Sequence, residues 1–172
     1  MPDLSASLAR ARVPLGFIGG VVVLFLAHPT WTALAAGLPI AALGEGVRVW
    51  AAGHLEKDRE VTTSGPYRFT GHPLYLGSTL IGAGVAIACH SLGVIVITAV
   101  YLTATLGAAI RTEEAGLRAK FGREYADYRA GHSTGQVRRF SLARALRNRE
   151  HRAVAGLVAV VFLLAVKAYL ML

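Results

Sequence analysis

Long apolar stretches constrain the fold of this chain more than any other feature, and the clearest of them covers residues 154–172. Its single charged residue, Lys167, lies near the end of the stretch. A helix rises about 1.5 Å per residue, so a stretch of this length reaches about 30 Å, the thickness of the hydrocarbon core of a bilayer. Unpaired backbone amides in hydrocarbon cost several kcal/mol each, so a crossing segment has to be helical. The pattern predicts a spanning helix whose lysine reaches back to the interface.

Four further apolar stretches, together with a hydrophobic content of 54%, extend this prediction to the whole chain. The turn at His90 and Ser91 makes the third and fourth stretches a helical hairpin. No small-residue cleavage pattern follows the first stretch, so we expect it to remain in the protein. The predicted fold class is an all-α, polytopic membrane helical bundle with about five transmembrane helices, in a single domain over residues 1–172. The four further stretches are residues 13–27, 31–53, 73–89 and 92–110.

Within this domain we distinguish four parts by composition. They are an N-terminal helix pair (residues 13–53), a region rich in motifs (54–129), a basic linker (130–152) and a C-terminal transmembrane helix (153–172).

Lysine and arginine alternate between the two predicted sides of the membrane. They lie before the first helix, between the second and third, and between the fourth and fifth, whereas the other two connections carry none. The positive-inside rule therefore predicts a cytoplasmic N-terminus and an external C-terminus. This topology explains the net charge of +8 without nucleic acid. Arginines interleaved with apolar residues in the linker predict a segment lying on anionic lipid headgroups, and the Ala-, Arg- and Gly-rich composition favours a bacterial cytoplasmic membrane.

The segment from Gly65 to Gly77 is polar, rich in turn residues, and runs directly into the third apolar stretch. Pro73 suits the first turn of a helix, which places His72 at the helix mouth. From the pattern alone two interpretations stay open at even weight. In the first, the segment is a site where a polar reactant meets a lipid-soluble one. In the second, it is only a helix boundary at the membrane interface, where the histidine ends one helix and the tyrosines are interfacial residues.

Polar or small residues elsewhere in the apolar stretches also need an interpretation. Gly82 and Gly84 would let a helix or a flat ligand approach the backbone, and from the pattern helix packing is the better interpretation. Glu45 and Arg48 lie three residues apart and are expected to neutralise each other within one helix.

Arg111, Glu113 and Glu114 lie at the inner end of the fourth stretch. Glu114 can pair with Arg118 one turn later, but adjacent carboxylates at the end of a spanning helix call for a nearby cation. The histidines show no paired spacing, so no metal site is predicted.

Four blocks follow one another along the chain: Gly65-Pro66-Tyr67, His72-Pro73-Leu74-Tyr75-Leu76-Gly77, Arg111-Thr112-Glu113-Glu114 and Phe121-Gly122-Arg123-Glu124-Tyr125-Ala126-Asp127-Tyr128. In this order they resemble the signature of the isoprenylcysteine carboxyl methyltransferase family, which phospholipid N-methyltransferases largely share. The resemblance covers about residues 44–129. It departs from the family pattern at Gly71, where an arginine is usual and where Arg68 or Arg59 would have to compensate, and in the long linker and fifth helix that follow.

The resemblance implies an integral membrane enzyme that transfers a methyl group from S-adenosylmethionine to a lipophilic acceptor. It implies that Arg111 positions a carboxylate acceptor, or that His72 or Glu114 removes a proton from an amine. Either Glu113 or Glu114 would meet the ammonium of the cofactor. The implied cofactor-binding residues are Tyr67, His72, Pro73, Leu74, Tyr75, Gly82, Gly84, Glu113 and Glu114.

The acceptor stays open at this point. O-methylation of an isoprenyl or other lipophilic carboxylate is favoured, and N-methylation of a phospholipid such as phosphatidylethanolamine is the alternative. A membrane reductase that resembles the steroid reductases and uses NADPH is a more remote alternative, and so is a scaffold without catalysis. The expected partners are the lipophilic acceptor and membrane lipid, and no nucleic acid.

Overall fold

The structure is a computed structural model that describes residues 16, 18–57, 59–132 and 137–171. Every regular element in these residues is a helix, so the predicted all-α class is confirmed. A single 3-10 turn, Gly65–Arg68, precedes the third helix. The helices are α1 (residues 18–26), α2 (Trp31–Ala52), α3 (Pro73–Ala88), α4 (Leu92–Arg129), α5 (Leu142–Arg147) and α6 (Glu150–Leu170).

Three of the described helices, α2, α4 and α6, are long and apolar enough to cross a membrane. With 16 residues, α3 is about 24 Å long and shorter than the predicted span. It begins at Pro73 and ends before His90, whose φ of 48° lies in the left-handed region that terminates helices. The first predicted span lies partly outside the described residues. The architecture is that of a polytopic helical membrane protein.

The fourth helix is longer than the predicted stretch of residues 92–110. It continues to Arg129 and bends at Gly122, whose φ of 46° is outside the helical region. Because the helix continues beyond the end of the apolar stretch, Glu113 and Glu114 are held on regular helical backbone.

Helices α2 and α3 pack antiparallel with their backbones in contact. A Cβ atom added to Gly44 would lie 2.6 Å from the carbonyl oxygen of Gly77, and one added to Gly84 would lie 2.6 Å from that of Gly37. Small residues let two helices approach this closely, which favours association through van der Waals contact. We call this contact the glycine seam. It places the end of α2 beside the start of α3, and we call this end of the bundle the motif end.

Arg48 connects three helices at the motif end. Its Nε donates to Oε1 of Glu150 at 2.7 Å, and its Nη1 donates to Oγ of Ser78 at 2.5 Å. The predicted pair of Glu45 with Arg48 is therefore wrong. The planar guanidinium has five donors in a rigid fork and reaches partners on α3 and α6, whereas Glu45 receives none of its hydrogen bonds.

The opposite end of α6 is held by the lysine expected near the interface. Lys167 Nζ donates to the carbonyl oxygens of Leu24 at 2.7 Å and Phe25 at 3.0 Å, which end α1. A lysine at the C-terminus of a helix satisfies carbonyls that have no partner within the helix.

The linker docks on the connection between α2 and α3. Arg144 Nε donates to Glu56 at 2.7 Å, and Arg138 makes two hydrogen bonds of 2.7 Å to Glu60. We call the residues 138–148 the basic latch. Two of the arginines that were expected to meet lipid headgroups thus pair with carboxylates of the protein, and α5 is only six residues long. Contact of the linker with headgroups stays a prediction.

Candidate functional site

His72 lies between two carboxylates at the motif end. Its Nε2 is 3.2 Å from Oε1 of Glu114, and its Nδ1 is 4.0 Å from Oε2 of Glu113. The histidine directly precedes α3 and both glutamates belong to α4, so the antiparallel hairpin of these helices brings residues 42 positions apart into contact. The predicted grouping of His72 with the acidic pair is present in the structure.

The two glutamates have different surroundings. Glu114 is 20% exposed and also approaches Arg118 at 3.3 Å and Arg129 at 3.5 Å. Glu113 is 42% exposed and approaches His72 only at 4.0 Å. The carboxylate of Glu114 therefore orients the imidazole, whereas that of Glu113 is open to an incoming cation.

The contact with Glu114 determines which nitrogen carries the proton in the neutral imidazole. An ionised carboxylate only accepts hydrogen bonds, so Nε2 of His72 carries the proton and donates it. In the neutral ring Nδ1 is then an acceptor. Nδ1 is buried and has no hydrogen-bond partner within the described residues. An acceptor atom in this state can take a proton from a bound group.

A tight turn forms one wall of the site. Gly65 has a φ of 61°, and a Cβ atom there would lie 2.6 Å from the ring of His54, so glycine is required on both counts. The turn buries Tyr67, whose pKa is raised by desolvation and further by the negative charge of Glu113. The phenol is therefore neutral, and Tyr128 Oη donates to the Tyr67 carbonyl oxygen at 2.7 Å, which ties the end of α4 to the turn.

Arg129 occupies the space beside the glycine that departs from the family pattern. A Cβ atom added to Gly71 would lie 3.1 Å from Nη1 of Arg129. The two residues line a polar cavity of about 150 Å³ with Tyr67, Arg68 and Tyr128.

The guanidinium beside position 71 thus comes from the end of α4. Arg59 is exposed, and Arg68, which is also exposed, lines the same cavity as Gly71 and Arg129. Compensation for the missing arginine by Arg68 or Arg59 stays a prediction. The missed signal was the position of Arg129 directly after Tyr128, one helical step beyond the last motif block.

The structure places the remaining predicted residues at different distances from this cluster. Pro73 and Leu74 open α3, and the ring of Tyr75 lies 5.8 Å from that of His72. Arg111 is exposed, three residues before Glu114.

The two glycines of α3 lie away from His72. Gly82 is ten residues further along, about 15 Å by helical rise, and a Cβ atom there would lie 2.5 Å from Leu102 of α4. Gly84 belongs to the glycine seam with α2. Both therefore make helix contacts in the structure, and their role in cofactor binding stays a prediction.

Comparison with known proteins agrees with the motif blocks. The phospholipid methyltransferase family model matches residues 40–124. The cobalt-zinc-cadmium resistance protein CzcN of Cupriavidus metallidurans is 34% identical over 94 residues, which are 54% of this chain and 42% of that protein. The chain thus spans less than half the length of this relative. No solved structure matches significantly. This match confirms the resemblance to membrane methyltransferases, and we call the matched residues 40–124, just under half of the chain, the family domain.

Proposed function

We propose that the chain is an S-adenosylmethionine-dependent integral membrane methyltransferase that acts on a lipophilic acceptor. The observation that carries the proposal is the cluster at the motif end, where Glu114 orients His72 beside the open carboxylate of Glu113. The cluster lies within the family domain. The lysines and arginines around the motif end support a cytoplasmic site in a bacterial membrane.

The residues present fit the charges of the cofactor. The exposed Glu113 suits its ammonium, and Arg129 suits its carboxylate, because charge-assisted hydrogen bonds are the strong ones. The cavity of about 150 Å³ beside Arg129 is large enough only for the amino-acid end. Tyr67, Leu74 and Tyr75 would hold the rest. When bound, the cofactor supplies a methyl group on a positively charged sulfur.

The state of His72 favours an acceptor whose nucleophile carries a proton. In the neutral imidazole, Nδ1 of His72 is a buried acceptor without a partner among the described residues, and Glu114 would stabilise the imidazolium that forms when Nδ1 takes the proton. An amine or a hydroxyl needs this step, and phosphatidylethanolamine is one such amine. His72 and Glu114 would also orient the acceptor for in-line attack on the methyl group. Holding the reactants in line is the main task of the protein in a methyl transfer.

A carboxylate acceptor, such as an isoprenyl carboxylate, is the second candidate. It is already ionised and needs no base, and the exposed Arg111 at the motif end would position it. Under this candidate His72 contributes only to binding.

The test is to incubate the purified protein with labelled S-adenosylmethionine and host lipid extract, and to identify labelled products by mass spectrometry. We expect cofactor binding by calorimetry and a lipid product heavier by one methylene. Glu113→Gln should weaken cofactor binding about tenfold or more, whereas Glu124→Gln, an exposed glutamate on the same helix, should not. Absence of binding, or thermal stabilisation by NADPH instead, would refute the proposal.

His72→Asn separates the two acceptor candidates. With an amine or hydroxyl acceptor, loss of the general base should lower kcat by about 10²- to 10⁴-fold while cofactor affinity changes little. With a carboxylate acceptor, kcat should remain within a few-fold of the wild-type value. Chromatography of the labelled products distinguishes methyl esters from methylated amines in the same samples.

A further inference from the structure

A cleft of about 410 Å³ lies between α2, α3 and α6, and His72 is not part of its lining. Its polar lining is Glu45, Arg48 and Ser78, all near the motif end. Its apolar lining extends deeper along α3 and α6. The volume is within the range of small-molecule sites. The larger apolar lining residues are Ile81, Val85, Leu157 and Val160.

Glu45 is the one polar side chain of this lining whose hydrogen bonds are not satisfied by other described residues. It is 8% exposed, and both of its carboxylate oxygens are buried without a hydrogen-bond partner. Arg48 is occupied by Glu150 and Ser78. The Ser78 hydroxyl donates to the Leu74 carbonyl oxygen at 2.9 Å. The polar end of the cleft therefore offers an unused acceptor.

The formal charges at this end do not balance. Arg48 contributes one positive charge, and Glu45 and Glu150 contribute two negative charges, so one negative charge is left over. An ionisable side chain at membrane depth is costly unless a partner neutralises it, and such residues usually mark a functional site. A single cationic donor placed at Glu45 would supply both the missing charge and the missing hydrogen bonds.

We propose that this cleft binds an amphiphile with one protonated amine, which donates to Glu45 while its apolar body lies between α3 and α6. The amine belongs either to a lipid headgroup or to a free lipophilic amine. α6 lies beyond residues 40–124, so the site depends on a helix outside the family domain. Gly82, whose role in cofactor binding stays a prediction, also lines the cleft. The test therefore omits the cofactor and leaves His72 unchanged, so that its failure is distinguishable from failure of the proposed function.

The test measures the Tm of the purified chain in neutral detergent, without cofactor. Dodecylamine is the amine probe and dodecan-1-ol is its uncharged counterpart. We expect a concentration-dependent rise in Tm with dodecylamine and none with dodecan-1-ol. Glu45→Gln keeps the size of the side chain and removes the charge, and should lower the affinity for dodecylamine at least tenfold. Glu124→Gln, on the exposed surface of α4, should leave the response unchanged.

A second pair of variants tests the location without touching Glu45. Gly156 lines the cleft, and no atom lies within 4 Å of a Cβ added there, so Gly156→Leu should fill the cleft without a clash and abolish the response. Gly107 on α4 has equal free space, and Gly107→Leu should keep the response.

Nanodiscs identify the source of the amine. A Glu45-dependent rise in Tm with phosphatidylethanolamine over phosphatidylglycerol indicates a lipid headgroup, and a response to dodecylamine alone indicates a free amine. The proposal is overturned if the alcohol stabilises as well as the amine, if Glu45→Gln or Gly156→Leu keeps the response, or if no amine stabilises.

Discussion

At the scale of single residues, the guanidinium of Arg129 lies beside Gly71, the position where the family pattern has an arginine. The Arg129 guanidinium reaches both the space beside Gly71 and the carboxylate of Glu114. We predict that Arg129→Ala lowers the affinity for S-adenosylmethionine about 10- to 100-fold, because a hydrogen bond to a charged group contributes about 1.5–3 kcal/mol. Isothermal calorimetry in detergent measures this change.

The control for Arg129→Ala is Arg123→Ala, which removes the same charge from the same part of α4. The Arg123 side chain is 95% exposed and approaches only Asp127, at 4.0 Å, among the described residues. Affinity should stay within about twofold. The double variant Gly71→Arg with Arg129→Ala should recover part of the loss, since an arginine at position 71 would return a guanidinium to the same space. Equal losses from Arg129→Ala and Arg123→Ala would show that only net charge matters.

At the scale of elements, the glycine seam determines how closely α2 and α3 pack. A Cβ atom at Gly84 would lie 2.5 Å from the backbone nitrogen of Ala41, and backbone cannot rotate away. We predict that Gly84→Ala costs about 1–3 kcal/mol and lowers the Tm in detergent by several degrees. Gly37→Ala, across the seam, should have a similar effect. Gly46→Ala on the open face of α2 should leave the Tm equal or slightly higher, because alanine favours helix.

The same variants test the predicted cofactor role of Gly84. If the glycine serves packing, cofactor affinity should fall no more in Gly84→Ala than in Gly37→Ala, because Gly37 is not among the implied cofactor-binding residues. A variant Gly84→Ala that keeps its Tm but loses cofactor binding would instead favour the prediction from the resemblance.

How much the sequence predicts can be judged element by element. Apolar length predicts α2, α4 and α6 because the membrane makes helix the only choice for backbone. It does not predict that α4 continues to Arg129, since its polar continuation depends on tertiary contacts such as that of Tyr128 with Tyr67. Helix starts marked by proline, as at Pro73, are predictable.

Side-chain partners were less predictable than elements. The grouping of His72 with Glu113 and Glu114 followed from ordered motif blocks, because the hairpin of α3 and α4 returns the chain to the same end. The partner of Arg48 could not be predicted from the sequence. The spacing of Glu45 and Arg48 allows a pair within one helix, but it does not show that Glu150, which is distant in the sequence, lies close enough to accept the hydrogen bond instead. The partners of a long side chain therefore depend on which residues the packing of the helices brings within its reach.

At the scale of the whole molecule, the basic latch joins the C-terminal part of the chain to the family domain. Asn148 Nδ2 donates to the carbonyl oxygens of Ala52 and Leu55, both at 2.9 Å, and Arg144 Nη1 donates to that of Gly53 at 2.6 Å. Carbonyls at the end of α2 otherwise have no partner within the helix. The latch therefore holds α6 and the end of α2 together at the motif end, where both the candidate site and the cleft lie.

The latch makes stability depend on pH through Glu56, whose pKa is lowered mainly by the hydrogen bond from Arg144. A carboxyl with a lowered pKa in the folded state stabilises the protein above its ordinary value of 4.5, and this contribution is lost as the pH falls through the folded pKa. We predict that the difference in Tm between wild type and Glu56→Gln is largest near pH 7 and shrinks below pH 4.5. Glu124→Gln should show no such trend, and a difference that stays constant across this range would mean that the ion pair does not hold the latch.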